Sequence, residues 1–102
     1  MNYATARIAD GLMDAALPLR EVQNAEAIVR DARPLDTSFH ALRTRKAGAQ
    51  RFLEFHLLVP GATRVADARA FCDRIEVALI EQLPRSHVTI HIEPNETQLQ
   101  HS

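Results

Sequence analysis

Two segments in which apolar and polar residues alternate, separated by a single helical segment, constrain the fold more than any other feature. They span residues 50–59 and 87–93. Such alternation is typical of strands with one buried face. A strand, helix and strand in this order form a right-handed crossover, which places the two strands parallel in one sheet. The apolar face of the two segments consists of Leu53, Phe55, Leu57, Val88, Ile90 and Ile92.

The segment between these strands has apolar residues at intervals of three and four, as an amphipathic helix requires. We expect Thr63 to cap this helix and Pro84 to follow its end. Pro60 and Gly61 end the preceding strand. The predicted buried stripe consists of Val65, Ala68, Phe71, Cys72, Ile75 and Leu79.

The first half of the chain predicts one further helix and one further strand. Pro18 suits the first position of a helix that ends near Asp31. Residues 37–45 resemble a strand with weak alternation, and residues 46–49 contain a glycine suited to a hairpin turn. The predicted order is therefore α-β-β-α-β, an α+β fold with a three-stranded mixed sheet.

The length of 102 residues suits a single compact domain. Ile8, Leu12 and Ala16 lie four residues apart, so we expect residues 1–17 to form a linker or a marginal helical lead-in. Residues 18–94 predict the folded domain. Residues 95–102 predict a disordered polar tail.

Composition excludes several classes of function. The formal net charge is −1 and no basic block occurs, so nucleic-acid binding is not expected. The single cysteine, Cys72, forms no metal-binding pair and no internal disulfide. No apolar run long enough to span a bilayer and no signal peptide is present, which favours a cytoplasmic protein. Without a nucleophile motif or phosphate-binding loop, we expect no enzyme and no small-molecule substrate.

Three histidines and a carboxylate should converge at one edge of the sheet. Parallel strands share their carboxyl ends, which brings His56, His91 and Glu93 together. A hairpin centred near Ala47 and Gly48 places His40 opposite Phe55 or His56, and the register decides its face. Imidazoles and a carboxylate suit a divalent transition metal such as zinc, with cobalt, nickel, iron or cadmium as alternatives. Histidines on an open sheet face are also often only polar surface.

Several motifs resemble those of the cation diffusion facilitator family, in its C-terminal cytoplasmic domain. The stretch FHALRTR at residues 39–45 is similar to the family segment H-D-L-R-T-R, with Ala41 in place of the usual aspartate. The stretch FLEFHL at residues 52–57 and the stretch VTIHIEP at residues 88–94 resemble two further family strands. The stretch GLMDAALP at residues 11–18 resembles the family's linker from the last membrane helix.

This resemblance implies a ferredoxin-like, metallochaperone-like domain that forms a homodimer and binds metal near the dimer interface. It implies that His40, His56, His91 and Glu93 are metal ligands. Arg69 stands where some relatives carry a further histidine, which disfavours a full binuclear site. The implied partner is the membrane domain of a transporter. Two alternatives remain open: a metal-independent dimerisation module, and a stand-alone soluble metal carrier.

Overall fold

The structure, a computed structural model, describes residues 15–95 and contains two helices and one sheet. The predicted N-terminal lead-in lies mostly outside the described residues, as does the predicted tail after Asn95. The elements are α1 (Leu19–Ala32), β1 (Ser38–Ala47), β2 (Gln50–Val59), α2 (Val65–Gln82) and β3 (Ser86–Pro94). The strand order is β1-β2-β3, with β1 antiparallel and β3 parallel to β2. The predicted α-β-β-α-β order and mixed sheet are confirmed.

The central strand β2 supplies the middle of the hydrophobic core. Its inward-facing side chains are almost fully buried, with Phe55 and Leu57 at 0% exposure. Both helices pack on this face of the sheet through their own buried residues, and the opposite face stays open. Each such apolar side chain stabilises the fold by about 1.5–3 kcal/mol relative to an exposed position. The helix residues in this cluster are Ala25, Ile28, Val29, Ile75 and Leu79.

The starts of both helices differ from the predictions. Pro18 is not the first helical residue but the residue before it, and its carbonyl accepts hydrogen bonds from Glu21 and Val22 at 2.9 and 3.1 Å. The prediction that Thr63 caps α2 is wrong, because Arg64 occupies the cap position without a side-chain cap bond. Thr63 instead donates its backbone N–H to the Pro60 carbonyl at 2.9 Å, which closes the turn after β2.

Two residues predicted for the core are exposed at one end of the domain. Val65 is 79% exposed and Ile92 is 41% exposed. Both line a groove of about 520 Å³ between the start of α2 and the end of β3. The first turn of α2 therefore does not close over the carboxyl end of the sheet.

A β-bulge in β1 determines which face His40 occupies. The hairpin pairs Ala47 with Gln50 across a loop where Gly48 has a φ of 61°, and this register continues to Arg43 and its partner Glu54. Continued without a break, it would place His40 opposite Leu57, on the core side. One extra residue is inserted, so His40 lies opposite His56 on the open face.

The bulge also explains why residues 37–45 alternate only weakly. Phe39 and Leu42 both pack against the core although they are three positions apart. Ala41 accommodates the irregularity with a φ of 59°, a left-handed conformation that is unfavourable for a residue with a Cβ.

Substitution of Ala41 tests the backbone strain at the bulge. We expect Ala41→Gly to raise the free energy of unfolding by about 0.5 kcal/mol, because relief of the left-handed strain outweighs the entropy of glycine. We expect Ala41→Val to lower it by about 1–2 kcal/mol. Urea unfolding monitored by circular dichroism provides the measurement. Ala47→Val, in the same strand but at an ordinary φ, is the control and should change stability by less than about 0.5 kcal/mol.

An ion pair joins α1 to the hairpin end of the sheet. Arg51 donates from Nε and Nη2 to the two carboxylate oxygens of Glu21 at 2.9 and 3.3 Å, and from Nη1 to the Pro84 carbonyl at 2.6 Å. The hydrogen bond from Arg51 is the main cause that lowers the pKa of Glu21. The Arg51 guanidinium therefore ties α1, β2 and the loop before β3 together.

The pKa of Glu21 is lower in the folded state than its ordinary value of 4.5. The ion pair therefore stabilises the fold at pH values above 4.5, and this stabilisation is lost as the pH falls through the folded-state pKa. Glu21→Gln should cost at most about 0.5–1 kcal/mol near neutral pH, since the pair is partly exposed. The difference from wild type should shrink below about pH 4. Urea unfolding at several pH values measures this, with Glu81→Gln on the exposed face of α2 as the charge control. If Glu21→Gln lowered the free energy of unfolding by the same amount at every pH, the loss would not come from the ion pair with Arg51.

Candidate metal centre

Three histidines form a row across the open face of the sheet. His56 in β2 pairs with His40 on one side and with His91 on the other. The ring centroids of His40 and His56 are 5.2 Å apart, and those of His56 and His91 are 4.8 Å apart. The bulge and the parallel crossover therefore bring imidazoles from all three strands side by side.

Glu93 adds a carboxylate to two of these imidazoles. Its Oε2 lies 2.5 Å from Nδ1 of His56, and its Oε1 lies 3.8 Å from Nε2 of His40. One ligand atom from each of the three residues lies within 4.8 Å of the others. Glu93 reaches this position because it follows His91 by two residues and so shares its face of β3.

The donor set fits a divalent transition metal. Two imidazole nitrogens and one carboxylate oxygen match a three-ligand zinc site in which the fourth position is free. Ligand atoms of a tetrahedral zinc ion lie about 3.3 Å apart, given bond lengths of about 2.0–2.1 Å. The three atoms here lie within 4.8 Å of one another, so the side chains must rotate to approach that spacing. The side chains of His40, His56 and Glu93 are 57%, 33% and 43% exposed, so an ion in solution can reach them.

His91, the fourth predicted ligand, is placed differently. Its ring stacks on His56, but its Nε2 lies 2.6 Å from Oε2 of Glu54, and it is not among the three residues whose ligand atoms converge. This hydrogen bond is the main cause that lowers the pKa of Glu54. The structure thus groups three of the four predicted ligands and places His91 beside them with a partner of its own.

Glu54 is the residue of this region that the sequence analysis did not single out. The available signal was the alternation in β2, which places Glu54 and His56 on the same face. Its contact with His91 depends on the exact register between β2 and β3, in which His56 and His91 are partners.

Other candidate residues lie away from this group. His87 shares a face of β3 with His91 but lies at the opposite end, where it stacks on Phe52 and contacts Gln50 at 2.7 Å. Cys72 packs against the core, and burial raises the pKa of its thiol. Arg69 is exposed and lines the groove at the start of α2.

The chain is thus a small α+β domain with a candidate metal site of imidazoles and a carboxylate on its open sheet face. Residues 17–95 match the family described as the cation efflux protein, cytoplasmic domain. The chain therefore belongs to the cation diffusion facilitator family, as its cytoplasmic domain, and the resemblance noted in the sequence is confirmed.

Relatives of known sequence and structure agree with this assignment. An uncharacterized transporter of Synechocystis is 40% identical over 85 residues, which cover 83% of this chain and 27% of that protein. The cation-efflux pump FieF of Pectobacterium atrosepticum is 40% identical over 84 residues, covering 81% and 27%. The zinc form of CzrB, described as a candidate zinc transporter, is 43% identical with a TM-score of 0.72, covering 81% of this chain and 94% of that one.

The chain spans only about a quarter of the length of these two transporters, 27% in each case. Across residues 15–95, neither helix combines the length and the apolar character that a membrane span requires.

Proposed function

We propose that this domain binds a divalent transition metal and regulates a cation efflux transporter from the cytoplasmic side. The convergence of ligand atoms from His40, His56 and Glu93 within 4.8 Å carries this proposal. Each residue comes from a different strand, so the site depends on the folded sheet and not on a local sequence motif. Membership of the cation efflux family and the similarity to a zinc-form structure support it.

Zinc is the metal we propose, since two imidazoles and one carboxylate are a common zinc ligand set. Cobalt, nickel, iron and cadmium are the alternatives, because imidazole also suits other transition metals. Affinity alone does not discriminate among these ions, so geometry and the fourth ligand decide. His91 is the proposed fourth ligand, since it lies next to His56 on the same face.

We further infer that the domain acts as a homodimer whose arrangement responds to metal. The groove between the start of α2 and the end of β3 exposes apolar surface from Val65 and Ile92, and a second copy of the chain is the proposed occupant. Ile92 and Pro94 line the groove, and Glu93 lies between them on the opposite face of β3, so the groove and the candidate site share the carboxyl end of this strand. Metal would then favour one dimer arrangement by its higher affinity for that arrangement.

Removal of one imidazole tests the metal site directly. His56→Ala should weaken zinc binding at least about tenfold, which corresponds to about 1.4 kcal/mol, because His56 lies between the other ligands. Isothermal titration calorimetry with zinc measures the dissociation constant. His87→Ala is the matched control, since it removes an imidazole from the same sheet face at the far end and should leave binding unchanged. The proposal fails if the two variants behave alike.

Metal-dependent dimerisation gives a second test of the proposed function. Small-angle scattering and light scattering of the full chain should show a more compact dimer when zinc is added, and the change should be absent in His56→Ala. A monomer that binds exchangeable zinc would instead indicate a carrier, and a dimer that ignores zinc would indicate a metal-independent module.

A further inference from the structure

Glu54 occupies the position that decides whether His91 can join the other ligands. The carboxylate and His91 Nε2 are 2.6 Å apart, a short hydrogen bond. Since a carboxylate only accepts, Nε2 must carry the proton, and the nitrogen lone pair of a neutral His91 then resides on Nδ1. Nδ1 keeps its lone pair, but in this rotamer His91 is not among the residues whose ligand atoms converge, so its ring must turn before either nitrogen can join them.

His91 lies directly beside the three converging residues. It is the direct partner of His56 across the parallel strands, and the two rings stack at 4.8 Å with an angle of 29° between their planes. Side chains of paired strand residues begin about 5 Å apart. For an imidazole nitrogen of His91 to reach an ion held by His56, the ring must change rotamer and so leave its contact with Glu54.

Glu54 has a cationic neighbour on the side away from His91. Arg43 in β1 is its partner across the antiparallel pair. Glu54 therefore lies in the sheet between an arginine of β1 and an imidazole of β3.

We propose that Glu54 is a latch that holds His91 out of the cluster formed by His40, His56 and Glu93. This inference rests on the proposed metal-binding function and concerns how the same site is regulated. An ion entering the cluster meets three protein ligands and an open position. His91 completes the coordination only after its hydrogen bond with Glu54 is broken, so the latch lowers metal affinity and keeps the ion exchangeable.

A double-mutant cycle with cobalt tests the latch on the full chain. Visible absorption of bound Co²⁺ reports affinity, and its intensity distinguishes four-coordinate from six-coordinate ions. Glu54→Ala should bind Co²⁺ about tenfold more tightly than wild type, since His91 no longer has to break a hydrogen bond with Glu54 before it reaches the ion. In the His91→Ala background the same Glu54→Ala change should give no tightening, because no latched ligand remains. Glu81→Ala, which removes an equal charge from α2, is the control and should leave affinity unchanged.

The metal-free protein provides an independent readout. Nitrogen-15 NMR of the histidine rings should show His91 with its proton on Nε2 in wild type and a mixture of tautomers in Glu54→Ala. Weaker or unchanged Co²⁺ binding by Glu54→Ala would overturn the latch and make Glu54 a supporting residue. Equal tightening with and without His91 would also overturn it. If wild type binds no Co²⁺ at all, the metal-binding function itself is wrong, a result that the wild-type titration alone distinguishes.

Discussion

The parallel pairing of β2 with β3 is the interaction on which the candidate site depends. A right-handed crossover through α2 brings the carboxyl ends of both strands to one edge of the sheet. In this register His56 lies opposite His91, and Glu93 follows two residues later on the same face. A shift of one residue would turn one histidine toward the core, where Phe55 and Leu57 leave no space for a polar ring. Burial of the core face thus fixes the register of the open face.

The contribution of β1 has a different physical origin. The hairpin turn at Gly48 sets a register that, by itself, would send His40 toward the core. The bulge at Ala41 corrects it by one residue, and the apolar contacts of Phe39 and Leu42 hold the bulge in place. A stretch with weak alternation therefore contains the irregularity that completes the cluster. The backbone strain at Ala41 is concentrated next to the candidate site, as strained residues often are.

These two cases show what could be predicted from the sequence. Strict alternation in β2 and β3, with one helix between them, was enough to predict the mixed sheet and the neighbourhood of His56, His91 and Glu93. The face of His40 could not be predicted from alternation, because a bulge shifts the pattern by one residue without leaving a strong local signal. The exposure of Val65 and Ile92 was also missed, since helical spacing predicts which face is apolar but not how far a helix covers a sheet. The role of Glu54 required the side-chain rotamers of two neighbouring strands.

A site on an uncovered sheet face has consequences for how tightly it can hold an ion. The ligand side chains are one-third to more than one-half exposed, with 33% for His56 and 57% for His40. Water therefore competes for the ion, and the side chains must lose rotamer freedom to bind it. Such a site is suited to reversible binding, and its affinity rises if a further group closes over it. In the proposed latch, His91 would supply that group from within the chain once it leaves Glu54. The groove between α2 and β3 contains none of these side chains, so a second subunit seated there would act on the site only through the backbone of β3, where Ile92 and Pro94 flank Glu93.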